Sequence, residues 1–254
     1  PATVVTGGNG ADGVLDPLVV SPCHRAPLRL QGARGTCAEC GRAYEREDGV
    51  WRFYWPHERI DAPGDVTEIV QKFYEKNPFP NYEEHDSIRS LMDKAQRGLY
   101  ARALDRAIPY NSTVLEVGCG TGQLSNFLGI SLRRVVGADL CLNSLRLGEG
   151  FRRTHGLDRV RFVQMNLFRP CFAEGQFDVL LCNGVLHHTA DPYGGFRGLL
   201  PLVKPGGHIV IGLYNRWGRF ATDTRRQIFR ITGGRLRGID PVIRKIAKGR
   251  AKQE

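Results

Sequence analysis

No uninterrupted apolar run in this 254-residue chain approaches the roughly 20 residues that a helix needs to cross a bilayer, which excludes a membrane-spanning helix. The first residues lack the basic-then-apolar pattern of a secretion signal. No internal repeat or low-complexity tract is present, which sets aside a repeat array. The chain does not open on methionine either: Pro1 comes first, so the expectation is a processed protein or a fragment of a longer one. What is there suffices for a packed core. Hydrophobic residues make up 41% and aromatics 9%, in a length that holds one sizeable domain plus a small appendage. Seven cysteines with no evident pairing fit a reducing compartment, and the expectation is a soluble, cytoplasmic protein.

Charge is unevenly distributed. The net charge is +10, yet residues 216–254 hold 12 Lys/Arg against 3 Asp/Glu, whereas residues 1–215 hold 24 against 23. The basic end reads either as a solvated face or as a surface for nucleic acid, an anionic membrane surface or an acidic protein. Aromatics of the kind that stack on bases are sparse there, only Trp217, Phe220 and Phe229, which favours the solvated face.

The stretch Val114-Leu115-Glu116-Val117-Gly118-Cys119-Gly120-Thr121-Gly122 carries the most information. An apolar run that ends in an acid and three alternate glycines is a strand turning sharply into a helix, with bare main chain exposed to a ligand at the helix start. A second apolar strand, Val135-Val136-Gly137-Ala138-Asp139, ends on an acid about 20 residues beyond the first glycine, the spacing at which a carboxylate accepts hydrogen bonds from ribose hydroxyls. The two features bracket a nucleoside.

The spacing Glu116-x-Gly118-x-Gly120-x-Gly122 resembles motif I of the class I S-adenosylmethionine-dependent methyltransferases more than the dinucleotide Gly-x-Gly-x-x-Gly, because the third glycine comes one residue early and Gln123 stands where that motif wants glycine or alanine. Other stations of the family follow in order over residues 65–215. The resemblance implies that Asp139, followed by Leu140, holds the ribose. Met165-Asn166-Leu167 then corresponds to the adenine-contacting station, with Asn166 where relatives often carry aspartate. Phe177–His188 is similar to the fourth strand and its loop, and Val203-Lys204-Pro205-Gly206-Gly207 to the turn before the fifth strand. It implies S-adenosyl-L-methionine as cofactor, with Glu116, Gly118, Cys119, Gly120, Gly122, Asp139, Leu140, Asn166, Leu167 and Asn183 in its binding frame. A dehydrogenase or a fold retained without catalysis is the alternative.

The organisation that follows is α/β, a Rossmann-like doubly wound parallel sheet lacking its last strands, with a small β-rich N-terminal module. Residues 1–18 read as a loose tail, 19–60 as the module, 61–110 as a helical lid, 111–215 as the cofactor-binding core and 216–254 as a basic helical segment. Strands are expected near 113–117, 134–139, 160–165, 177–182 and 207–213. Within the lid, Val66, Ile69, Val70 and Phe73 recur at helical spacing, as do Ile88, Leu91, Met92, Ala95 and Leu99. Between them Asn77-Pro78-Phe79-Pro80-Asn81-Tyr82 interrupts any helix. Phe73, Tyr74, Phe79 and Tyr82 either wall the cofactor or pack on the sheet. After Leu213, Asp223–Ile231 and Pro241–Lys248 read as helices, so the core is expected to be cut before its sixth and seventh strands.

Cys23, Cys37 and Cys40, followed by Tyr44 and Gly49-Val50, resemble a zinc-ribbon-like module with two Cys-x-x-Cys knuckles. The second knuckle is intact, whereas Val20 stands where the first should begin. His24 is the candidate fourth ligand, and a ribbon that has lost its metal is the alternative. Cys119, Cys141, Cys171 and Cys182 read as small buried residues. His187 and His188 lie in the loop after the fourth strand and are the candidate general bases, His188 before His187, or else they only shape the loop. His57 and the remaining histidines have no motif around them and read as surface or packing residues. Tyr214 and Asn215 are candidate acceptor contacts. The activity implied is methyl transfer to a small-molecule acceptor, as in the quinone-biosynthesis and general type 11 groups; methylation of RNA or protein through the basic end, and a non-catalytic cofactor-binding module, are the alternatives.

Overall fold

The structure is a computed structural model and describes residues 14–15, 18–57, 65–76, 78–80, 82, 87–215 and 231. Four short strands come first: β1 (Leu28–Gln31), β2 (Arg34–Cys37), β3 (Ala43–Glu47) and β4 (Val50–Arg52). Helices α1 (Thr67–Lys76), α2 (Ile88–Arg97) and α3 (Leu99–Ala107) follow. The chain then alternates β5 (Thr113–Val117), α4 (Gln123–Ile130), β6 (Arg134–Asp139), α5 (Leu142–Thr154), β7 (Val160–Gln164), β8 (Phe177–Asn183), α6 (Pro192–Leu199) and β9 (Val203–Gly212).

The nine strands among the described residues form one sheet in the order β1-β2-β3-β4-β7-β6-β5-β8-β9. From β4 to β9 every pairing is parallel. The order runs from β5 outward to β7 on one side and then returns to β8 and β9 on the other, so the strand ends part at β5, where such sheets bind their ligands. Strands β1 to β4 pair antiparallel, and β4 then lies parallel to β7, with Trp51 opposite Val163 and Arg52 opposite Gln164. The N-terminal module is therefore an extension of the core sheet.

The central strands β5 to β8 are buried on both faces, and consecutive side chains divide between two cores as a two-residue period requires. Val114, Val135, Val179 and Leu181 join one core with Phe127, Leu145 and Phe162. Leu115, Val136, Leu180 and Cys182 join the other, which also takes Tyr44, Trp51 and Phe53 from the module. The Trp51 and Phe53 rings stack with centroids 5.3 Å apart, and Tyr44 meets Phe53 edge-on.

Two local readings are corrected. The helical spacing from Ile88 to Leu99 becomes two helices, because Gly98 takes an extended conformation (φ −80°, ψ 123°) that ends α2 and starts α3. The Lys204-Pro205-Gly206-Gly207 segment lies within β9, which begins at Val203 opposite Phe177. Since Val179 already faces His208, the extra residues form a bulge, with Gly206 at φ +79° and Lys204 bonded to Asp178 at 2.7 Å.

Residues 1–213 form one unit and residues 214–254 another. In the second, Tyr214, Asn215 and Ile231 are described; the expected basic helices, apart from Ile231, and any strand after β9 lie outside the described residues.

Candidate active site

Strand β5 must reverse into α4 within a few residues, and the turn adopts left-handed backbone at Gly118, Gly120 and Gly122, with φ of +72°, +55° and +70°. Side chains are also excluded by contact. A Cβ at Gly118 would meet Val185 of the β8 loop, and one at Gly120 would meet the Phe79 carbonyl. Thr121 donates its hydroxyl to the Pro80 carbonyl. The Gly118 and Cys119 N–H groups both donate to the Ala138 carbonyl, at 2.7 and 3.2 Å, pinning the turn to the end of β6.

Asp139 braces this turn from below. One carboxylate oxygen accepts from the Gly120 N–H at 2.8 Å and the other from the Cys141 N–H at 2.9 Å. Burial raises its carboxyl above the ordinary range, opposed by the N–H groups of Cys141, Gly120 and Leu140. The Leu140 carbonyl accepts from Gln164 Nε2 at 3.0 Å and from Gln71 Nε2 at 3.4 Å. Glu75 accepts from the Leu142 and Asn143 N–H groups at 2.8 and 3.2 Å, placing a carboxylate at the start of α5. Helix α1 thus docks through its polar edge, while its apolar Ile69 and Phe73 are exposed. Gln71 and Glu75 were missed because an i, i+4 polar pair on an amphipathic helix has the pattern of a solvated edge.

Of the other lid aromatics, Tyr82 packs against helices α4 and α5. Its ring stacks on Phe151 at 4.9 Å and its hydroxyl accepts from Asn126 Nδ2 at 2.9 Å. Phe79 is exposed and presents its carbonyl, not its ring, to the glycine turn.

Beyond β7, Asn166 is buried and uses both ends of its amide. Oδ1 accepts from the Phe168 N–H at 3.0 Å; Nδ2 donates to the Trp55 carbonyl at 3.1 Å and lies 3.2 Å from His57 Nδ1. The other nitrogen of His57 meets Asp65 at 3.1 Å, and Asp65 in turn accepts from the Thr67 N–H at 2.9 Å. The linker after β4, the end of β7 and the start of α1 are therefore joined through one half-buried histidine. Aspartate at 166 would have no donor for the Trp55 carbonyl, which accounts for the asparagine. Leu167 is half-buried against Gly195.

Across the switch point, Asn183 ends β8 exposed, its amide lying over Gly212. Gly184 takes φ +75° and donates its N–H to the Gly212 carbonyl at 2.8 Å. A single 3-10 turn, Leu186–His188, follows, anchored by buried Leu186. The His187 and His188 rings are 4.2 Å apart and tilted by 50°. Since Val185 packs directly on Gly118, this turn starts at the glycine loop. Bare glycine main chain, a braced carboxylate and an adjacent histidine turn fit a nucleoside cofactor with a reactive end toward β8.

Comparison with known proteins agrees. The chain matches the methyltransferase domain family over residues 115–211. Residues 115–211 are a methyltransferase domain. A ubiquinone biosynthesis O-methyltransferase of Serratia proteamaculans is 33% identical over 111 residues, covering 42% of this chain and 44% of that protein. A demethylmenaquinone methyltransferase of Clavibacter sepedonicus is 33% identical over 129 residues, covering 50% and 52%. An uncharacterized protein of Synechococcus sp. is 29% identical over 185 residues, 69% of this chain and 44% of the other. The chain thus spans about half the length of the curated relatives it matches. S-adenosylmethionine is the cofactor that this family implies.

Within the methyltransferase domain, Glu116 is the most perturbed acid of the glycine turn. Burial raises it from 4.5 to about 7, the Ser125 hydroxyl opposing and the Asp139 charge adding. A proton bound more tightly in the folded state gives stability that is full below pH 4.5 and is lost as pH rises through about 7. In Glu116→Gln that loss should vanish, leaving a melting temperature flatter than the parent's between pH 5 and 7; an unchanged slope would show that Glu116 ionises freely. The thiols of Cys119, Cys141 and Cys171 are pushed upward by burial, and that of Cys182 to about 12, which leaves them inert as nucleophiles. Among the described residues, no helix is long and apolar enough to cross a membrane.

Proposed function

We propose that this chain transfers a methyl group from S-adenosylmethionine to a small-molecule acceptor, with His188 as general base and His187 beside it. The observation that carries this reading is the left-handed glycine turn braced by Asp139 at the β5 switch point. Gly118, Cys119, Gly120 and Gly122 offer bare main chain to the cofactor's aminoacyl part, with Glu116 behind them. Asp139 and Leu140 take the ribose, Asn166 and Leu167 border the adenine, and Asn183 with Gly184 borders the methionine half. The relatives named for ubiquinone biosynthesis and for demethylmenaquinone methylation support a small-molecule acceptor.

The cofactor supplies an activated methyl on a sulfonium, so the protein's task is to position the acceptor and exclude water. Positioning is worth up to about 7–11 kcal/mol. Where the acceptor must lose a proton, an imidazole nitrogen of His188 takes it, a contribution of about 10²–10⁴-fold.

His188→Ala should therefore lower kcat by about 10²–10⁴-fold while leaving the Kd for S-adenosylhomocysteine unchanged, and the acid limb of the pH–rate profile should disappear. If kcat stays within a few fold and the limb persists, the pair only shapes the loop. The substrate class is tested by labelling: with methyl-labelled cofactor, label should pass to a component of a small-molecule extract. Label recovered on a tRNA pool instead would replace this reading with methylation through the basic end.

A further inference from the structure

The N-terminal module carries a cluster that methyl transfer does not use. Cys23, His24, Cys37 and Cys40 each place one donor atom so that all four lie within 4.8 Å of one another. Cys23 Sγ is 3.8 Å from Cys40 Sγ, and Cys37 Sγ is 4.0 Å from His24 Nδ1. A tetrahedral ion with metal–sulfur bonds of about 2.3 Å requires sulfurs about 3.8 Å apart, and somewhat less between sulfur and nitrogen. The first pair has that separation and the second needs only a small contraction.

Two turns present these donors. Between Ser21 and Ala26 the chain closes on itself: the Ser21 N–H donates to the Ala26 carbonyl at 2.8 Å and the Arg25 N–H to the Ser21 carbonyl at 2.7 Å. Arg25 has φ +56°, a left-handed step that closes this turn, and the turn holds the donor atoms of both Cys23 and His24 within reach of those of Cys37 and Cys40. The second turn closes through the Gly41 N–H to the Cys37 carbonyl at 3.0 Å, with Gly41 at φ +71°. The Ala38 N–H donates to the Pro27 carbonyl at 3.0 Å and ties the two turns together.

The position lacking its cysteine is committed elsewhere. Val20 bridges to Pro27, and its N–H donates to the Cys171 carbonyl at 2.9 Å, holding the module to the core. The buried Ser21 hydroxyl lies 3.2 Å from Cys37 Sγ, placed to donate to a thiolate as an outer-shell partner.

We propose that these four residues bind one zinc ion in a tetrahedral site of three thiolates and one imidazole, with His24 Nδ1 in the place of the missing cysteine. A sulfur-rich tetrahedral set with no open position selects zinc among the common divalent ions and makes the site structural. The metal fastens the turn before β1 to the turn after β2.

The full chain, purified under reducing conditions without added metal and analysed by mass spectrometry, should hold about one zinc per chain. The apoprotein made with a chelator should take up cobalt and show the intense visible absorption of a tetrahedral thiolate site. His24→Cys should retain metal and shift the cobalt bands toward those of four thiolates, whereas His24→Ala should weaken zinc by more than the about 10–100-fold that an outer-shell change costs. Folding of each variant is checked by circular dichroism, and all these readouts are independent of methyl transfer. A reduced, folded chain that takes up neither zinc nor cobalt would overturn the site. Metal binding with cobalt spectrum and affinity unchanged in His24→Ala would overturn the role of the histidine.

Discussion

Gly122→Ala should lower the melting temperature by about 5–15 °C, two penalties falling on one atom. The residue sits at φ +70°, where a Cβ costs about 1–2 kcal/mol. That Cβ would also stand 2.3 and 2.4 Å from two ring carbons of Phe162. The ring has no room to withdraw. It is fully buried and its other sides face Gly137 and Gly148, where a Cβ would come within 2.7 and 3.0 Å of it. Overpacking of this kind costs about 1–3 kcal/mol, so the total of about 2–5 kcal/mol is a large share of a typical 5–15 kcal/mol stability. Phe162→Leu in the same chain should recover part of the loss, because it removes the collision and leaves the strain. A shift below about 2 °C by calorimetry, smaller than 1 kcal/mol would give, would show that the turn relaxes without moving the ring.

Asp139→Ala should raise the Kd for S-adenosylhomocysteine by about 10–100-fold or more. Unpaired ribose hydroxyls account for about 1–3 kcal/mol. The substitution also orphans the Gly120 and Cys141 N–H groups, so the glycine turn loses its brace before any ligand arrives. Asp139→Asn keeps one acceptor oxygen and should fall between the two. Isothermal calorimetry reads the affinity and a melting curve separates it from general unfolding. Unchanged affinity in a folded variant would sink the assignment of this turn to the cofactor.

Much of this frame is legible in the sequence because it rests on signals local to the chain. β5 and β6 have the boundaries that their apolar runs and terminal acids define, and β7 and β8 differ by one residue. The glycines fall where the backbone is left-handed. What the sequence conceals is long-range and polar. β4 has only three residues, and nothing in Val50-Trp51-Arg52 indicates a parallel partner at Val163. His57 has no motif, yet it joins Asn166 to Asp65. Asn166 stands at the station where a resemblance implies an adenine contact, and its amide also serves the Trp55 carbonyl. Adjacent Cys23 and His24 look awkward as ligands of one ion, yet the fold brings their donor atoms within 4.8 Å of those of Cys37 and Cys40.

The parallel seam between β4 and β7 has a practical corollary. Similarity alone would delimit the piece 115–211, but that cut strips the outermost neighbour from Val163 and Gln164 and removes Trp51 and Phe53 from beneath the sheet. The result would be a raw ladder of unmatched amides beside a hollow, the kind of border along which chains adhere to one another. The unit of homology and the unit of folding are different lengths of this polypeptide.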